Sequence, residues 1–268
     1  MRDVCVIRLG HPHVNIERVM KVLSSNQSRY LLRYRDSVPT LGNSDLNDFA
    51  YSDEKMFALL RPHMRDRSLT LGITSVPLED NWFLRPNDDR SAFVITTFEV
   101  DSLIAYTKKT AEDYLAYQIL VSILSSEYFK RSGVEPSEGL LHHDCRGCLF
   151  DFCGNKEDLA RGLKNLNIDT QCRGALIEGN VPEESVSAVL AILKYMKKPS
   201  IGKSVYSILT NPHLSLLIGI GVGIMVNIVG GLLLQSKDLA LGFILFLIFT
   251  LGVVLVRYLS DVFQWWIR

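Results

Sequence analysis

The stretch "GLLHHDCRGCLFDFCGNKEDL", which begins at Gly139, gathers His142, His143, Cys145, Cys148 and Cys153 into one short segment, and Cys172 follows it. Thiolates and imidazoles are the donors zinc prefers, four of them in a tetrahedron. A Cys-x-x-Cys pair suits that geometry because a tight turn points two sulfurs at one ion. Cys145 and Cys148 have this spacing. Together with Cys153 and Cys172 they make four sulfurs able to close one site, with His142 and His143 as alternative ligands. "DTQC" offers one cysteine where a second knuckle would supply two. Two other readings stand beside zinc. "CRGC" has a redox spacing, with Arg146 placed to favour a thiolate, but it does not follow an early strand into a helix as a thioredoxin-like motif does. The cysteines can also simply be buried. Asp144 and Asp151 flank them, either as partners that orient metal ligands or as turn formers.

The choice among these readings depends on compartment. No secretory leader is visible, since "MRDVCVIRLGHPHV" reaches His and Pro where an apolar stretch should continue. A cytosolic location is therefore expected for the soluble part, where thiols stay reduced and disulfides are disfavoured. The chain has 268 residues with 29 basic and 29 acidic side chains. That neutrality speaks against a nucleic-acid groove.

The elements that must position the segment follow from periodicity. "DVCVIRLG" reads as an opening strand, with Cys5 among its core side chains. Ile16, Val19, Met20 and Leu23 form one helical stripe, and "RYLLRYR" reads as a second strand before the loop "SVPTLGNSDLND". Ser52 or Asp53 caps a helix striped by Met56, Leu59, Leu60 and Met64. "SLTLGITS" is a short β run, "PLEDNWFLRPNDDR" a loop, and "SAFVITTFEV" a strand apolar enough to be central in a sheet. From Thr110 to Lys130 a long helix with an acidic first turn is expected to lie buried. "NKEDLARGLKNL" and "NVPEESVSAVLAILKYMKK" read as two further helices. This order implies an α/β domain over residues 1–200.

Residues 201–213 read as a linker. From Leu214 to Val256 the only formal charges are Lys237 and Asp238. Two apolar runs, 214–234 and 239–258, approach the roughly 20 residues that cross a bilayer, so a transmembrane α-helical hairpin is expected. Lys197, Lys198 and Lys203 precede it, Arg257 and Arg268 follow it, and the turn holds one Lys. The positive-inside rule then places the domain, both termini and the tail 259–268 in the cytosol of an integral membrane protein. Gly219, Gly221, Gly223, Gly230 and Gly231 permit close helix approach and hence homo-oligomerisation. Asn227 seeks a polar partner, and Trp265 and Trp266 suit an interfacial anchor.

Three segments resemble the archaemetzincins, metzincin-type zinc peptidases with a second, cysteine-bound zinc. They are "YRDSVPTLGNSDLNDFAYSDEKMFALLRPH", "LTLGITSVPLEDNWFL" and "HHDCRGCLFDFC" with Cys172, and the likeness spans roughly residues 3–177. The resemblance implies a mixed sheet with helices and a structural zinc on Cys145, Cys148, Cys153 and Cys172. The family's His-Glu-x-x-His helix does not carry over, because "AEDYLAYQILVSILSSEYF" contains no histidine. Glu112 and Glu127 on that helix cannot replace two imidazoles, and a lone His142 or His143 does not hold a catalytic ion. No catalytic residue is therefore assigned. The sequence reads as a membrane-anchored, zinc-binding pseudoenzyme domain acting as sensor or adaptor toward a protein or small-molecule signal. The alternatives are a two-helix effector that permeabilises the bilayer and an active membrane metallopeptidase.

Overall fold

The computed structural model describes residues 2–24, 30–65, 68–105, 107, 109–142, 147–151 and 158–197. All belong to one unit, Met1–Pro199. The linker, both apolar runs and the tail lie outside the described residues. Among the described residues no helix is long and apolar enough to cross a membrane.

In chain order the elements are β1 (Arg2–Leu9), α1 (Ile16–Ser24), β2 (Tyr30–Val38), α2 (Asp53–Leu60), β3 (Leu69–Thr74), β4 (Leu84–Pro86), β5 (Ala92–Thr96) and α3 (Val100–Ile104), followed by α4 (Ala111–Ser132), α5 (Pro136–Gly139), α6 (Leu159–Asn165), α7 (Thr170–Glu178) and α8 (Glu183–Lys197). The strands form one sheet in the order β2-β1-β3-β5-β4, parallel except for β4, which runs antiparallel along β5.

Both faces of this sheet are covered, which is why β3 and β5 are buried at every position. Strand alternation divides β1 between two cores. Val4 and Val6 join Leu71, Phe93, Ile95 and the helices α1 and α4 on one side. Cys5, Ile7 and Leu9 join Val94, Met56 and Leu60 of α2 on the other. Gly72 of β3 permits the close approach of α2: a Cβ there would lie 2.8 Å from Leu9 Cδ1 and 3.0 Å from Leu60. The expected stripe of α1 is buried in full.

α4 is the backbone of the larger core. Thr110 caps it in a reciprocal box with Asp113, and Gly133 ends it in a left-handed conformation. Every residue from Tyr114 to Tyr128 is buried, so this helix is enclosed rather than amphipathic. Two of its tyrosines reach outward to anchor other elements. Tyr114 Oη donates to Thr96 O at the end of β5 (2.8 Å), and Tyr117 Oη donates to Leu149 O (3.0 Å).

Several expectations are refined. β5 is interior but lies beside the edge strand, and β3 is the middle strand. β4 occupies part of the expected loop. α2, capped by Ser52, stops at Leu60 because Pro62 turns the chain into a 3-10 turn, Arg61–His63, and Met64 leaves the stripe. α7 falls where no helix was expected.

Candidate metal centre

The centre is assembled from the chain between α5 and α7. Past α5, His142 forms a parallel bridge with Asp151, its N–H donating to Phe150 O (3.3 Å). Cys148 is bridged to Asn167: Leu149 N donates to Asn167 O (2.5 Å) and Asn167 N to Gly147 O (3.1 Å). The turn that presents Cys148 requires glycine before it. Gly147 has φ of 87°, and a Cβ would lie 2.2 Å from Asn165 Cβ. Tyr117 of α4 braces the same turn from below through Leu149 O.

α7 supplies the remaining donors from its first turn. Asp169 is the N-cap, its Oδ1 accepting from Cys172 N (2.7 Å). An N-cap and the third residue of a helix lie side by side, so Asp169 and Cys172 face the same point. Asp169 N donates to Cys148 Sγ (3.4 Å), and the Cys172 thiol lies 3.4 Å from Leu140 O.

His142, Cys148, Asp169 and Cys172 thus converge, their ligand atoms all within 4.8 Å of one another. Cys148 and Cys172 are buried, while His142 and Asp169 are half-buried. His142 Nε2 stands 3.3 Å from Asp169 Oδ2. Zinc bonds of about 2.0–2.1 Å to N and O give a tetrahedral edge of roughly 3.3 Å, and bonds of about 2.3 Å to sulfur give edges of roughly 3.8 Å. The four groups therefore suit zinc in donor chemistry, and the His142–Asp169 separation matches a tetrahedral edge. The electrostatics suit a cation as well. The Cys172 thiol hydrogen-bonds to Cys148 and, against the opposing effect of burial, lowers the Cys148 pKa to about 6; the amides of Asp169 and Phe150 and the ring of His142 act in the same direction. Cys172, as the donor, is pushed well above the usual thiol range. Metal binding would displace the shared proton and use both sulfurs as thiolates.

Of the residues singled out in the sequence, the structure brings Cys148, Cys172 and His142 together. Cys145, Cys153 and His143 lie outside the described residues. Asp169 was missed as a donor, although its spacing to Cys172 is that of the absent half-knuckle in "DTQC". Asp151 sits beside both His142 and the Cys148 turn, in contacts that each of its two sequence readings would use. On α4, Glu112 Oε1 is 3.5 Å from Asn15 N. Glu127 is buried, and its Oε2 has no hydrogen-bond partner among the described residues.

No protein family model matches the sequence, and no curated protein matches it. Among solved structures the similar chains are archaemetzincins and a zinc-dependent peptidase. The archaemetzincin of Methanopyrus kandleri is 15% identical with a TM-score of 0.48, the match covering 68% of this chain and 96% of that one. That of Archaeoglobus fulgidus, determined with malonate, is 14% identical with a TM-score of 0.42, over 65% and 99%. The zinc-dependent peptidase of Methanocorpusculum labreanum is 16% identical with a TM-score of 0.43, over 64% and 99%.

Proposed function

We propose that the domain is a zinc-stabilised binding module without a peptidase centre, held at the cytosolic face of a membrane by the hairpin of residues 214–258 and acting there as sensor or adaptor. The observation that carries this reading is the closed donor set. His142, Cys148, Asp169 and Cys172 offer four donors from the protein alone, all within 4.8 Å of one another, as a structural zinc requires, whereas a catalytic zinc keeps a position open for water. α4, the helix on which the resemblance would seat a catalytic ion, has Tyr114, Tyr117 and Gln118 on its buried surface and no histidine.

Elemental analysis and peptide cleavage on the full-length protein test this reading together. The expected result is one zinc per chain, lost in Cys148→Ser with a lower melting temperature, and no turnover of a peptide library. Chelator-sensitive cleavage abolished by Glu127→Gln would replace the proposal with an active membrane metallopeptidase. Reporters at the two ends of the chain should both read as cytosolic, and one inserted at Lys237 as external.

The glycine-rich run 214–234, with Asn227 inside it, supports a second reading. In it, copies assemble through that run and perturb the bilayer. Ion leakage on induced expression, lost in Asn227→Leu, separates it from the first.

A further inference from the structure

Asp151 has its side chain fully shielded from solvent. A buried carboxylate needs compensation on both oxygens, and each oxygen of Asp151 faces a different part of the metal centre. Oδ2 accepts from Gly147 N (2.6 Å) and Cys148 N (3.1 Å), the amides of the turn that presents the Cys148 thiol. Oδ1 makes no hydrogen bond among the described residues, and the group it faces is Nδ1 of His142 at 3.3 Å, the ring nitrogen that faces away from Asp169. An imidazole that carries its proton on Nδ1 leaves the Nε2 lone pair free for a metal, and a carboxylate at Nδ1 enforces that tautomer.

We infer that Asp151 is the positioning residue of the metal centre: it fixes the ring plane and tautomer of His142 so that Nε2 joins Cys148, Asp169 and Cys172. The inference rests on the zinc reading given above. The competing role for Asp151 is that of a turn former, which would need only the Oδ2 contacts to Gly147 and Cys148.

Asp151→Asn separates the two roles while keeping the side-chain shape. The asparagine oxygen still accepts from Gly147 and Cys148, but its NH₂ now faces Nδ1 and stabilises the opposite tautomer, with the proton on Nε2. Measured by chelator competition on the full-length protein in detergent, zinc affinity should fall about ten- to a hundredfold. With cobalt as probe, the thiolate-to-cobalt charge-transfer band should persist while the ligand-field bands lose their imidazole contribution. In a His142→Cys background the fourth donor has no tautomer to set, so Asp151→Asn should then leave affinity within about twofold. Unchanged affinity in the wild-type background, or an equal loss in both backgrounds, would assign Asp151 to the turn alone and overturn the inference. Nitrogen NMR of the zinc-loaded wild type is an independent check: His142 should show a protonated Nδ1 and a metal-bound Nε2, and the reverse tautomer overturns the inference without any variant having to fold. Absence of any zinc or cobalt binding by the wild type would instead remove the zinc reading, and Asp151's role with it.

Discussion

The sheet with α4 and the corner holding His142, Cys148, Asp169 and Cys172 are built on different physics. The sheet is sealed by apolar side chains on both faces, and its partners are fixed by strand registers such as Val4↔Leu69 and Leu71↔Phe93. Among its described residues the corner has no ladder. Two isolated bridges, one left-handed glycine and a cap hold it together, Tyr117 and the apolar contacts of Leu149 and Phe150 seat it on the larger core, and its central groups are ones that gain most when a cation stands among them. Apolar burial stabilises without a ligand, whereas a cluster of thiols and carboxylates becomes a folded unit in proportion to the metal bound. The two regions should therefore respond separately.

The largest effect falls on the sheet. Phe93→Ala should cost about 3–5 kcal/mol, because the ring is 1% exposed, and denaturant titration should give the same loss with and without zinc. A loss that changes with zinc would join the two regions into one cooperative unit. Next is metal removal. A free zinc concentration of about a hundred times Kd stabilises by roughly 2.7 kcal/mol, so chelation should lower the melting temperature accordingly. Hydrogen exchange should then quicken at Cys148, Leu149, Asn167 and the first turn of α7, while β1, β3 and β5 stay protected. Uniform quickening would break the comparison. Gly147→Ala is smaller, about 1–3 kcal/mol from its positive φ, with a further contribution from the clash at Asn165. It should reduce zinc affinity as well as stability. Smallest is Ser52→Ala, which removes the α2 cap for about 1 kcal/mol and should leave zinc content unchanged.

The same contrast explains what could be read from the sequence. β1, α1, β5 and α4 were legible because their burial follows a period of two or 3.6, or is complete, and because Thr110 and the acids after it mark a helix start. β4 was not: three residues ending in Pro86 carry no period, and the strand exists only because β5 offers an edge. α7 was not either, since its buried residues are Cys172 and Leu176 alone and Gly174 interrupts it. That omission also hid Asp169, which becomes a metal donor only once the helix places it beside Cys172. Cysteine and histidine declare their chemistry by type, whereas an aspartate three residues before a cysteine reads first as a cap. Asp151 was legible as a neighbour of the cysteines. Its reach to both His142 and the Cys148 turn depends on the bridge at His142, which no local pattern encodes.

The place of β1 in the sheet has a consequence for the order of events during synthesis. β1 is made first, yet it is an interior strand, with β2 on one side and β3 on the other. Its pairing with β3 must wait until Leu69–Thr74 has left the ribosome, and the β3–β5 pairing until Ala92–Thr96 has followed. Until then its alternating apolar residues are paired at most with β2, and long-range parallel pairing is slow to close. The corner around Cys148 spans only residues 142–172 and can close almost as soon as it emerges. A segment made later is thus able to close before the sheet's earliest strand is fully paired, and β1 is the segment left longest in need of protection.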